Sequence, residues 1–224
     1  MIKPYYQDES CTIYHGDARE ILPRLQKGLI VTDPPYGIDL ALGMGGGKKG
    51  SGGMWKGVKI KGDENISVRD EVLDMFSAFA AFGSPRVSWP LNTKSVLVWD
   101  KGEHTGAGDL SFPWKPSFEF IFIAGSGWKS TKRTGGVIRV NAVAGCVGND
   151  NKGMRYHPFE KPVAICGHLI ARHESNLIID PFMGSGTTLR AAKDLGRSAI
   201  GIELEEKYCE IAAKRLRQEV LEFS

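Results

Sequence analysis

The stretch from Asn176 to Gly196 limits the folds open to this chain more than any other. Asn176-Leu177-Ile178-Ile179 is a short apolar run, and Asp180-Pro181-Phe182-Met183-Gly184-Ser185-Gly186 is a turn with two glycines. Thr187 to Leu195 then has helical spacing until Gly196 stops it. A strand, a tight turn and a helix, followed by a second strand over Ser198 to Ile202 that ends at Glu203, form a unit of a parallel sheet. The turn is not a P-loop, because Gly184-Ser185-Gly186-Thr187 lacks the phosphate-binding lysine. Leu189 stands where a dinucleotide fingerprint has its third glycine. The residues do allow a close backbone approach to a ligand at a helix N-terminus, with Glu203 placed to accept hydrogen bonds from ribose hydroxyls. The structural alternative is that Asp180 and Glu203 each cap the helix that follows.

A second stretch has the same logic. The apolar run Leu29-Ile30-Val31-Thr32 ends in Asp33-Pro34-Pro35-Tyr36, then Gly37, and reads as the carboxyl end of a buried parallel strand. Ligands of open α/β sheets bind at that edge. Two prolines cannot continue a ladder, and each fixes its own φ while extending the residue before it. Such a stiff turn holds a carboxylate, adjacent carbonyls and an aromatic face in fixed relation, which suits a planar group with an amine at its edge. The bland alternative is a stiffened strand exit whose Tyr36 only covers the core.

Around these two stretches the chain alternates strands and helices. Thr12 to His15 reads as a strand, Gly16-Asp17 as its end with Asp17 as N-cap, and Ala18 to Gln26 as a helix with Ile21, Leu22 and Leu25 on one stripe. Residues 37 to 65 are rich in glycine and lack periodicity, which predicts a substrate-side flap. Ser67 to Phe82 has helical spacing through Val72, Leu73, Phe76, Phe79 and Ala80. Val96 to Trp99, Phe118 to Ile123 and Val137 to Val140 are further strands, and Lys161 to His173 and Glu205 to Val220 further helices. The whole is expected to be one α/β domain over residues 1–224, long enough to bury its own core.

Composition narrows the setting. No apolar stretch is long enough to span a bilayer and the polar start has no signal-peptide core, so a cytoplasmic location is expected. Cys11, Cys146, Cys166 and Cys209 are scattered without a C-x-x-C pair, which predicts buried thiols and neither zinc nor disulfides. The net charge of +3 is modest, but nine positive charges fall in two acid-free windows. Ala41 to Gly62 holds Lys48, Lys49, Lys56, Lys59 and Lys61, and Phe120 to Asn149 holds Lys129, Lys132, Arg133 and Arg139. With Trp55 and Trp128 among them, these windows suit loops that follow a phosphate backbone, or else two lysine-solvated loops.

Asp33-Pro34-Pro35-Tyr36, then His157-Pro158-Phe159-Glu160-Lys161-Pro162, then Asp180-Pro181-Phe182-Met183-Gly184-Ser185-Gly186-Thr187-Thr188 resembles the amino-group DNA methyltransferases, which modify adenine N6 or cytosine N4. The catalytic motif precedes the cofactor motif, as in the beta arrangement of that family. The resemblance implies an α/β, Rossmann-like, mostly parallel sheet with helices on both faces and permuted motif order, the strand before Asp17 lying beside the catalytic strand. It implies S-adenosylmethionine as cofactor, S-adenosylhomocysteine as product and no metal. Asp180, Phe182, Gly184, Gly186, Thr187 and Thr188 would cradle the methionine moiety, Glu203 the ribose and Asp17 the adenine, with Asp33 between cofactor and target. Lys161 would approach the cofactor's carboxylate, and His157 is a surface turn residue. A short target-recognition region would lie at about 102–155.

The implied chemistry fits the residues. The exocyclic amine is a poor nucleophile because its lone pair is delocalised into the ring. Asp33 and the Pro34 carbonyl can accept its hydrogens and stabilise the charge that develops, Pro35 stiffens the turn, and Tyr36 stacks on a base extruded from duplex DNA. A covalent cysteine route has no support, since no Pro-Cys pair occurs. The Asp-opening motif favours adenine N6, whereas beta-type cytosine N4 enzymes resemble a Ser-opening version. Cytosine N4 methylation and a non-catalytic DNA-binding module that keeps the fold are the alternatives. Lys48, Lys49, Lys129, Lys132, Arg133 and Arg139 would contact DNA, and the short central region calls for a short target or a homodimer.

Overall fold

A computed structural model describes residues 2–35, 66–85, 87–102, 113–114, 117–129, 133–141 and 160–218. Tyr36, the 37–65 flap with Lys48 and Lys49, Lys132, Cys146, His157 and much of the 102–155 region lie outside the described residues.

The strands are β1 (Tyr6–Gln7), β2 (Cys11–His15), β3 (Leu29–Thr32), β4 (Phe79–Gly83), β5 (Ser95–Asp100), β6 (Phe118–Ala124), β7 (Val137–Arg139), β8 (Leu177–Asp180) and β9 (Ser198–Glu203). The helices are α1 (Ala18–Ile21), continued by a 3-10 turn over Leu22–Arg24, then α2 (Ser67–Asp74), α3 (Val163–Ile170), α4 (Thr187–Asp194) and α5 (Glu206–Arg217). The described strands form one nine-stranded sheet in the order β1-β2-β9-β8-β3-β4-β6-β5-β7. From β2 to β4 every neighbour is parallel, and β6 runs antiparallel between β4 and β5.

Helices cover both faces, as expected of strands that are apolar on both sides. On one face α3, α4 and α5 pack Ile165, Leu169, Leu189, Ala212 and Leu216 against Ile13, Leu29, Val31, Phe82 and Ile178. On the other, α1, the 3-10 turn and α2 pack Ile21, Leu22, Val72 and Leu73 against Ile30, Phe79, Phe122 and Ile202. All of β3 is buried.

Two expectations are corrected. The helix expected over Ser67 to Phe82 stops at Asp74, and Phe79-Ala80-Ala81-Phe82-Gly83 is a strand paired with β3. Phe79 and Ala80 continue the helical spacing of Val72 and Leu73, and a run buried on both faces has no alternation to mark it as a strand. The strand before Asp17 does not lie beside β3. It pairs with β9, so β9 and β8 stand between them.

Candidate active site

The parallel order places the ends of β2, β9, β8, β3 and β4 along one edge. Asp17, Glu203, Asp180 and Asp33 therefore stand in a row at the carboxyl ends of four strands. Because β6 runs the other way, its beginning reaches the same edge: Phe118 pairs with Asp100 and Phe120 with Gly83, which puts Glu119 there too.

Asp17 N-caps α1, accepting from the Arg19 N–H at 2.8 Å, and pairs with the Arg19 guanidinium at 2.6 Å, which holds its carboxyl below the usual range. Asp180 is buried. Its Oδ1 accepts from Thr32 Oγ1 at 2.6 Å and the Phe182 N–H at 3.2 Å, and Thr188 also bonds to it. Burial pushes its pKa up to about 6, those hydrogen bonds opposing and the Asp33 charge assisting. Glu203 accepts from the Gly184 N–H at 2.9 Å and the Glu205 N–H at 2.8 Å. Burial raises its pKa against those donors.

The two glycines of the turn differ. Gly184 has φ +52°, and no protein atom lies within 4 Å of where a Cβ would stand. Gly186 has φ +81° and a Cβ there would meet Ala212 Cβ at 2.8 Å, so this glycine serves the packing of α4 on α5. Thr187 and Thr188 are buried, with Thr187 Oγ1 3.2 Å from Arg215 Nη1 and Thr188 against Cys166 and Asp180. Phe182 packs partly into the second core cluster. The turn thus presents Gly184 outward, beside Glu203, while Gly186, Thr187 and Thr188 hold the turn in place. An open left-handed glycine next to an acid at the end of the following strand fits a nucleoside-type cofactor.

Lys161 reaches the exit of β3. Its Nζ is 2.6 Å from Asp33 Oδ2 and 3.2 Å from Glu119 Oε2, and 5.2 Å from the centre of the Phe82 ring. Burial presses this lysine toward neutrality, but the Asp33 and Glu119 carboxylates outweigh it and hold its pKa above the ordinary value. Glu119 Oε1 in turn lies 2.5 Å from Lys101 Nζ. Burial pushes the Glu119 carboxyl up, yet Lys161 and Lys101 together bring it below the usual range. Glu119 and Lys101 escape sequence reasoning because they belong to no motif. The one available signal was a lone acid inside the apolar run Phe118 to Ala124.

The basic residues divide. Arg139 ends β7 on the edge that carries Asp33, 85% exposed and 3.1 Å from Asp100 Oδ2. Lys129 follows β6, whose end pairs with the start of β4, so it stands at the opposite edge, paired with Glu174 at 2.5 Å. Arg133 is exposed and precedes β7, which begins at that opposite edge. Among the described residues of the second basic window, Arg139 and Lys129 thus stand at opposite edges of the sheet. Cys11, Cys166 and Cys209 are buried, and burial pushes each thiol to about 12. Among the described residues no three metal-ligating side chains gather, and no helix is long and apolar enough to cross a membrane.

An open α/β sheet with acids along its carboxyl edge and an outward glycine turn is the arrangement in which such folds bind ligands. Residues 86–214 match the DNA methylase family model for N6 and N4 enzymes. The chain is 30% identical over 259 residues to the type II methyltransferase M2.LlaDCHI of Lactococcus lactis subsp. cremoris, covering 97% of this chain and 93% of that protein. It superposes on the M1.HpyAVI–SAM complex with a TM-score of 0.62 and 25% identity, over 92% of this chain and 99% of that one. The cytosine-N4-specific PvuII DNA methyltransferase shares the fold, with a TM-score of 0.64 at 16% identity over 99% and 91% of the two chains. The protein belongs to the N6/N4 DNA methylase family and is a DNA methyltransferase.

Proposed function

We propose that this DNA methyltransferase acts on the N6 amine of adenine extruded from duplex DNA, with Asp33 as the group that receives the amine. The observation that carries this reading is the junction of the two motifs. β3 and β8 are neighbours, and Thr32, next to Asp33, donates to Asp180 at 2.6 Å. The amine site and the cofactor turn are thereby held at a fixed separation, which is what an in-line transfer needs.

Gly184 and Glu203 would hold S-adenosylmethionine by its methionine and ribose parts. When bound, it supplies a methyl group on a sulfonium centre. The chain's own residues prepare the acceptor. Asp33 and the Pro34 carbonyl accept hydrogens from the amine, favour its pyramidal form and stabilise the positive charge that grows on nitrogen. Tyr36 offers a face on which the extruded base stacks. Arg139 meets a phosphate on the same edge. Four strand spacings of about 4.8 Å put β7 roughly 19 Å from β3, a separation on the scale of a DNA duplex.

Incubating the protein with labelled S-adenosylmethionine and unmodified duplex DNA, then digesting the DNA to nucleosides, tests the assignment. N6-methyladenine is expected. N4-methylcytosine would overturn the choice of base, and cofactor binding without methyl transfer would leave only a DNA-binding module.

A further inference from the structure

Four side chains from four parts of the chain meet beside the site in alternating charge: Asp33 after β3, Lys161 before α3, Glu119 on β6 and Lys101 after β5. The successive gaps are 2.6, 3.2 and 2.5 Å. The Lys161 and Glu119 side chains are only 8% and 19% exposed. The core does not require such a cluster, since apolar residues of similar volume often stabilise as well as a buried ion pair. It sits instead against the carboxylate proposed to receive the target amine.

We infer that Glu119 and Lys161 are positioning residues that fix the Asp33 carboxylate and set its strength as a hydrogen-bond acceptor. This rests on the assignment of Asp33 to the target amine. Lys161 pins one oxygen of Asp33, which sits in the turn after β3. An ammonium committed wholly to Asp33 would draw charge from that carboxylate and weaken it toward an amine. Glu119 shares the ammonium and limits this, while Lys101 keeps Glu119 ionised. Among the described residues, the charged and titratable groups facing Asp33 include Lys161, Glu119 beyond it, Asp180 on β8 and the Cys166 thiol on α3.

The arrangement makes two substitutions act in opposite directions. Glu119→Gln takes one carboxylate away from the Lys161 ammonium, so Asp33 holds its charge to lower pH but accepts more weakly. Lys161→Met takes the ammonium away from Asp33, so Asp33 takes up a proton at higher pH. A general loss of structure would not move the two variants apart.

The experiment is single-turnover methylation of unmodified mixed-sequence duplex DNA across pH 5 to 9 (about this range brackets a perturbed carboxylate), with cofactor affinity measured by calorimetry. The acid limb of the rate profile should move down in Glu119→Gln and up in Lys161→Met, by about half a pH unit or more each. The Glu119→Gln plateau should fall roughly three- to tenfold. Lys161→Arg should restore most of the rate lost in Lys161→Met. Limbs that coincide with wild type, or that move the same way in both variants, would overturn the inference. So would a Lys161→Met variant that loses cofactor affinity with its acid limb unmoved, since that lysine would then serve the cofactor. If Lys161→Met does not fold, the direction of the Glu119→Gln limb still decides. Asp33→Ala separates the two levels: if it keeps turnover, the Asp33 assignment fails; if it is inactive while the limbs do not move, only the positioning role fails.

Discussion

Asp33 and Asp180 are neighbouring carboxylates with opposite surroundings, and each makes its own prediction. Asp33 meets a buried cation, whereas Asp180 is enclosed and meets hydroxyls and an N–H. Asp33→Ala should lower turnover by at least about a hundredfold while leaving cofactor affinity within about tenfold, because the side chain acts on the target amine. Retention of more than a few per cent of kcat (about 5% as a working bound) would remove Asp33 from that role. Asp180 keeps its proton up to about pH 6 in the folded chain, against an ordinary 3.8. Between those values the unfolded chain binds fewer protons than the folded one, so stability is greatest below the lower value and declines as pH rises through the upper. The gap corresponds to about 3 kcal/mol. Asp180→Asn keeps an acceptor oxygen without a charge to desolvate. The fall in urea midpoint between about pH 4 and 7 should therefore be smaller in this variant than in wild type, and parallel curves would show that Asp180 does not titrate there. Asp33, Asp180 and Glu203 were legible because each ends an apolar run at a turn. Glu119 and Lys101 were not, since what makes them part of the site is the antiparallel direction of β6, which no local pattern encodes.

At the level of elements, the turn between β8 and α4 separates a glycine needed by a ligand from one needed by the fold. The Cβ of Gly184→Val has open space around it, so the change should cost about 2 kcal/mol for its left-handed φ, while cofactor affinity collapses. Gly186→Ala should lose about 1–3 kcal/mol through its clash with Ala212 on α5, with cofactor affinity following only as far as the turn shifts. Calorimetric affinity and denaturant midpoints for both variants check this. Unchanged cofactor affinity in folded Gly184→Val would place the ligand elsewhere. From sequence the two glycines looked equivalent, because spacing says that a backbone must come close to something but not to what. The same limit hid β4: its residues satisfy a helical stripe, and only the vacancy beside β3 decides for a strand.

Across the whole molecule, function gathers on one edge of the sheet. That gathering was foreseeable, since parallel strands alternating with helices deliver their exits to the same side. The strand order was not, because pairing of β2 with β9 is settled by the last third of the chain. Charge follows the same geometry. Arg139→Gln should lower the slope of log affinity against log salt by about 0.9 and weaken all sequences alike, whereas Lys129→Gln, at the far edge, should leave the slope unchanged. Equal effects of the two would mean that DNA reaches around the sheet.

The pairing of Ile30 with Ile179 has a consequence for how the protein is made. β3 leaves the ribosome early, but its neighbour β8 is synthesised almost 150 residues later, a time of roughly seven to thirty seconds at ordinary elongation rates. Until then an apolar strand at the centre of the final sheet has an open flank, the kind of template on which nascent chains associate. Contacts this distant also favour slow folding. The late arrival of β8 and β9 thus makes the cofactor half of the site the piece that closes the sheet.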